Sequence, residues 1–152
     1  MTPLPAGSLV PLFDRLGGDL VASADGRMLD AAGLQQSLQH DLVRLFNVRN
    51  VLTIEQFLGD VPTVLDYGLP DTLALSPQSA SDLRRWELVM TRAIALYEPR
   101  LSQVRVLVTP DASNPMAARV TIGAAVALGQ QLCQVHFDVV LDAQAARLDA
   151  AA

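Results

Sequence analysis

The constraint that most limits how this chain can fold is a change of hydrophobic period at one corner, Glu98-Pro99-Arg100. Before it, Leu83, Trp86, Met90, Ala93, Ile94 and Tyr97 fall at offsets 0, 3, 7, 10, 11 and 14, which places them on one face of an α-helix. Ser79 or Ser81 can cap the start of that helix and Asp82 adds negative charge to its first turn. Pro99 ends it, because the residue before a proline is driven out of the helical region. After the corner the period becomes 2: Val104, Val106 and Val108 alternate with Arg105, Leu107 and Thr109. Two further alternating runs follow, Val120, Ile122, Ala124, Val126 and then Val135, Phe137, Val139, Leu141, with the first loop at Asp111-Ala112-Ser113-Asn114-Pro115. Three strands on short loops predict an antiparallel meander, and helices preceding such a meander predict an α+β fold.

An earlier stripe, Leu34, Leu38, Leu42, Leu45 and Phe46, predicts a second main helix that stops near Asn47 to Asn50. Either asparagine can adopt the left-handed conformation that ends helices, and Arg44 and Arg49 suit the negative end of the dipole. Between the helices, Gly59, Pro62, Gly68, Pro70 and Pro77 forbid a long regular element but leave Phe57, Val61, Leu65 and Tyr67 as packing groups, so the segment is a structured connection. One helical turn, or a docking peptide that packs Leu12, Phe13 and Leu16, is expected at residues 12–16. The expected organisation is a flexible arm over 1–11, one domain over 12–142, and an alanine-rich tail over 143–152 that either extends as helix or stays disordered.

Composition excludes several function classes. Sixteen acidic residues against eleven basic ones give a net charge of −5, and every basic residue is an arginine, with only Arg84 and Arg85 adjacent. Nucleic-acid binding needs a basic stripe and an anionic membrane surface a polybasic patch, so neither is an expected partner. No stretch is apolar enough for long enough to span a bilayer, and the N-terminus shows no basic flank before an apolar run; a cytoplasmic protein with no membrane insertion is expected. Cys133 is the one cysteine, which agrees with a reducing compartment.

Chemistry has few candidates. Cys133, His40 and His136 do not share a metal-ligand spacing, Gly17-Gly18 is not followed by the lysine of a phosphate loop, and Cys133 lacks a basic neighbour to activate it, so no metal and no cofactor are expected. His136 alternates with Val135 and Phe137 and should point away from the core. Trp86 and Tyr97 read as core aromatics. Glutamate occurs only at positions 55, 87 and 98. Glu98 stands at a helix C-terminus, where the dipole disfavours it, so something should compensate it. It is either an exposed helix end with a weak ion pair, or part of a rigid corner that presents a carboxylate and a guanidinium to a partner. A glycan or peptidoglycan hydrolase with Glu98 as general acid is a rival reading, weakened by the scarcity of aromatics for a sugar cleft. A generic adaptor domain is another.

The segments Phe13-Asp14-Arg15-Leu16, Asp41-Leu42-Val43-Arg44-Leu45-Phe46-Asn47-Val48-Arg49, Val64-Leu65-Asp66-Tyr67-Gly68-Leu69-Pro70-Asp71 and Tyr97-Glu98-Pro99-Arg100-Leu101 resemble, in this order, the TssE family. These are baseplate components of the bacterial type VI secretion system, grouped with the phage baseplate wedge proteins once labelled lysozyme-like. Phe46 and Val48 depart from the usual residues there. The resemblance implies two main helices on an antiparallel sheet of three or more strands, like the handshake portion of contractile sheath subunits. It implies a non-enzymatic role joining the other wedge subunits to the first sheath ring, at the inner face of the cytoplasmic membrane. It also implies partner contact through Glu98, Pro99 and Arg100, with alanine variants that fold but assemble poorly. A free sheet edge could also pair two isolated copies into a homodimer.

Overall fold

The computed structural model describes residues 7–9, 11, 28–59, 61–142 and 146–148. The turn expected at residues 12–16 lies outside them. Within them the chain is α+β, with helices on one face of an antiparallel sheet. A two-residue strand β1 (Ser8–Leu9) pairs with β2 (Met28–Leu29), and the Gly129 N–H donates to the Gly7 carbonyl across the end of the main sheet.

Helix α1 (Ala31–Asn47) starts three residues earlier than its apolar stripe, because Asp30 caps it: Oδ1 accepts from the Gly33 N–H at 2.7 Å. All five stripe residues, Leu34, Leu38, Leu42, Leu45 and Phe46, are buried. The helix does not end on a left-handed asparagine. Val48 leaves it in an extended conformation, Asn47 Nδ2 donates back to the Val43 carbonyl, and Arg49 Nη1 donates to the Phe46 carbonyl. The Arg49 side chain thus satisfies the Phe46 carbonyl, one of those that a left-handed cap would otherwise have closed.

The connection contains α2 (Ile54–Gly59), whose start is fixed by the reciprocal bonds of Thr53 and Gln56, and a single 3₁₀ turn at Val64–Asp66 boxed by Thr63 and Asp66. Phe57 is fully buried as expected, but Val61 and Leu65 are about 90% exposed. The box, together with the bond from Asn50 Nδ2 to the Asp66 carbonyl, fixes the turn with Val64 and Leu65 outward, so apolar character alone misassigned Val61 and Leu65 to the core.

Helix α3 (Ala80–Tyr97) is capped by Ser79 and buries Trp86, Val89, Met90, Ala93 and Ile94. Its last free turn ends at Glu98, whose N–H still donates to the Ile94 carbonyl before Pro99 turns the chain. Three long strands follow: β3 (Leu101–Pro110), β4 (Ala118–Leu128) and β5 (Gln131–Leu141), joined as an antiparallel meander. The alternating residues named above form one face: Val108, Val120, Ile122, Val126, Phe137 and Val139 are buried against α1 and α3, while His136 points outward. A short β6 (Ala146–Leu148) then pairs antiparallel with Val139–Leu141. The tail therefore contributes a strand where the composition suggested helix or disorder. A helix of about ten residues is marginal in water even when alanine-rich, whereas the β5 edge offers ready main-chain partners.

Candidate functional site

The corner that the sequence singled out is built inward. Glu98 is buried, 4% exposed, at the end of α3. Two residues on, Arg100 turns its guanidinium back: Nε lies 2.7 Å from Glu98 Oε1 and Nη2 lies 2.8 Å from Oε2, a two-bond fork. The same guanidinium reaches α1, with Nη1 at 3.0 Å from Ser37 Oγ and Nη2 at 2.6 Å from Asp41 Oδ2. Arg100 thus compensates the carboxylate that the helix dipole disfavours and fastens the α3–β3 corner to α1. Of the three residues expected to meet a partner, Glu98 is enclosed, Arg100 is about a quarter exposed, and Pro99 is at the surface.

Two of the other segments that carried the resemblance, 41–49 and 64–71, converge here. Val48-Arg49-Asn50 and Gly68-Leu69 run side by side: the Leu69 N–H donates to the Val48 carbonyl and the Asn50 N–H to the Leu69 carbonyl, each at 2.9 Å. Gly68 sits at φ +111, and a Cβ there would lie 2.5 Å from the Val48 carbonyl oxygen, so the close approach demands glycine. Tyr67, carried on this bridge, meets Tyr97 edge-on with ring centroids 5.1 Å apart, and the Tyr97 hydroxyl donates to the Thr63 carbonyl. Between them opens a cleft of about 360 Å³ lined by Asp41, Arg44, Leu45, Tyr67, Tyr97 and Glu98.

Electrostatics agree with this packing. Burial pushes the Tyr67 phenol up, with Asp41 and Glu98 adding to the shift and Arg44 opposing it. Burial pushes Tyr97 up as well, assisted by Asp66. Desolvation lowers Arg49, which Asp71 partly offsets. Arg49 and Asp71 share a second cleft with Trp86, Leu75 and Met116, about 260 Å³ in volume.

Spacing alone did not find Ser37, Asn50 or Thr63, each of which joins elements distant in sequence. Asp41 was within a quoted segment but had no role until the fold placed it opposite Arg100. A further polar cluster closes the β3–β4 loop, where Asp111 accepts from Ser113 Oγ, the Ser113 and Asn114 N–H groups and Arg119 Nη2. Among the described residues no cluster of His, Cys, Asp or Glu could hold a metal ion, and no helix is long and apolar enough to cross a membrane.

No curated protein compared with the chain matches it. Among solved structures, a chain of one described as the baseplate complex from the type VI secretion system has a similar fold, with a TM-score of 0.50 and 17% sequence identity. The likeness covers 72% of this chain and 94% of that one. The sequence profile of a family described as baseplate wedge protein gp25 matches residues 32–131, a stretch that contains three of the four segments on which the resemblance rested. By that match, this chain belongs to the baseplate wedge protein gp25 family.

Proposed function

We propose that this chain is the wedge subunit of a type VI secretion baseplate that joins the other wedge subunits to the first sheath ring and helps start sheath assembly. The observation that carries the reading is the family match across both main helices, the corner and two strands. The type VI assignment is further supported by the fold shared with a chain of such a baseplate complex and by three of the four quoted segments meeting at one corner. In this reading the sheet, like the handshake portion of a sheath subunit, takes up sheath strands by main-chain pairing. Wedge subunits dock at the corner, where Pro99 and the rim of the tyrosine cleft are accessible and Glu98 and Arg100 set their position. The protein works in the cytoplasm, in a baseplate at the inner face of the membrane, and an isolated chain can dimerise through an unused edge.

The hydrolase reading has geometry against it. A general acid has to present its proton to a glycosidic oxygen, whereas Glu98 presents both carboxylate oxygens to Arg100 from a buried position. The test is imaging of a fluorescent sheath subunit in cells lacking this chain. Absence of extended sheaths, restored by the wild-type chain, is expected; normal sheaths without it would refute the proposal.

A further inference from the structure

Helix α3 carries a second stripe besides its buried face. Arg84, Leu88, Arg92 and Ala95 follow one another at offsets 0, 4, 8 and 11 along its outer side. Such a stripe is ordinarily polar, yet Leu88 is 59% exposed and Leu96 39%. Together with Leu58 of α2 and Val106 of β3, the stripe lines an open groove of about 690 Å³. From Arg84 to Ala95 the helix rises about 16 Å, or about three turns.

The charge of this groove runs against that of the chain. Its lining holds two guanidiniums, Arg84 and Arg92, against one carboxylate, Glu87, in a protein of net charge −5. That carboxylate is engaged, since Glu87 Oε1 accepts from the Val108 N–H at 3.0 Å. The Thr91 hydroxyl turns back onto its own helix and donates to the Glu87 carbonyl at 2.7 Å. The groove thus offers an incoming chain apolar carbon between cationic groups about 12 Å apart along the helix. It does not offer regular main-chain pairing, because the Val108 N–H beside it is taken and Pro110 has none. A segment seated here is held by its side chains, which suits a helix laid along α3.

We propose that this groove docks an acidic amphipathic helix of another protein. The apolar residues of that helix, one turn apart, meet Leu58, Leu88 and Val106, and its flanking carboxylates meet Arg84 and Arg92. Charge complementarity selects this occupant: guanidiniums bind carboxylates through strong, directional hydrogen bonds, whereas a basic helix would bring like charge to both arginines. A second copy of this chain is disfavoured because each copy carries a net charge of −5. The surface ends at Ala95, short of the Glu98–Arg100 corner, and uses no sheet edge, so it does not rest on the proposed function.

The test measures fluorescence anisotropy of labelled helical peptides of about 18 residues, long enough to hold a helix, titrated with the full chain. The first peptide carries a leucine stripe flanked by glutamates, the second replaces the glutamates by lysines, and the third replaces the leucines by alanines. Saturable binding of the first is expected, with the other two roughly tenfold weaker or more and the affinity falling as salt rises. Leu88 and Arg84 are exposed, so Leu88→Glu and Arg84→Glu should keep the melting temperature and weaken the first peptide roughly tenfold. Leu107→Glu, at an exposed residue of β3 outside the groove, should leave binding unchanged. No binding of the first peptide, equal binding of the lysine peptide, or equal loss from Leu107→Glu would each overturn the proposal. A wild-type dimer that Leu88→Glu dissolves would overturn it in favour of a second copy as the occupant.

Discussion

Arg100 Nη2 lies 2.6 Å from Asp41 Oδ2, so the residue just before β3 is tied to the middle of α1 across 59 positions of sequence. The same nitrogen holds Glu98 at 2.8 Å. One guanidinium therefore fixes the angle between α1, α3 and β3.

Removing it leaves Glu98 buried without its main partner. Breaking a buried pair by deleting one member costs several kcal/mol; since Arg100 is about a quarter exposed, Arg100→Ala is expected to lose roughly 2–4 kcal/mol. Asp41, about as exposed as Arg100, should cost about 1 kcal/mol or less as Asp41→Asn, because Arg100 keeps its two-bond pair with Glu98. Urea midpoints at unchanged slope measure both. Because Glu98 is enclosed, alanine variants at Glu98 or Arg100 that are expected to fold should still lose stability, so assembly assays need variants matched for stability.

Pro99 offers such a variant. It is exposed, and Pro99→Ala should lower stability by no more than about 1 kcal/mol. If the corner docks on wedge subunits, this folded variant captures them more weakly than wild type, and equal capture would remove Pro99 from the interface.

Gly68→Ala places a methyl 2.5 Å from the Val48 carbonyl oxygen at a φ that side chains rarely adopt. The bridge between 48–50 and 68–69 must open or shift, at a cost of about 2–3 kcal/mol. Thermal unfolding reads the loss, and Tyr67 should separate from Tyr97 in the aromatic circular dichroism signal.

Asp111 supplies a pH signature. Its hydrogen bond from the Ser113 hydroxyl, followed by those from the Ser113 and Asn114 N–H groups and the charge of Arg119, holds its carboxyl below the usual carboxylate range. The unfolded chain therefore binds the proton first as pH falls. The stabilisation is present in full above the ordinary carboxylate pKa of about 3.9 and is lost as pH drops through it toward the lower folded value. Asp111→Asn should be less stable than wild type at neutral pH and show a shallower decline below about pH 4. Denaturant titrations at several pH values compare the two slopes.

Much of the architecture was legible because it rests on periodicity. The five apolar residues of α1 are buried, and the stripe of α3 and the alternation in β3, β4 and β5 face the core, although Leu83, Tyr97, Val104 and Val106 are only partly covered. Where structure is set by individual polar bonds, the pattern was silent. Asp30 lengthens α1, Arg49 rather than an asparagine closes it, and the Thr63–Asp66 box turns Leu65 to the surface. The site followed the same division. Glu98 at a helix end announced that it needed a compensating charge, but only the fold shows that Arg100 answers from two residues away and recruits Ser37 and Asp41. β6 could not be read at all, since its pairing depends on the β5 edge rather than on its own composition.

The central claim is that this wedge-family chain joins wedge to sheath in a type VI secretion baseplate. Its most direct test is affinity capture of the tagged full-length chain from cells expressing a complete type VI cluster, with captured proteins identified by mass spectrometry. Recovery of both wedge and sheath subunits is the expected result. A folded chain that recovers neither would contradict the account.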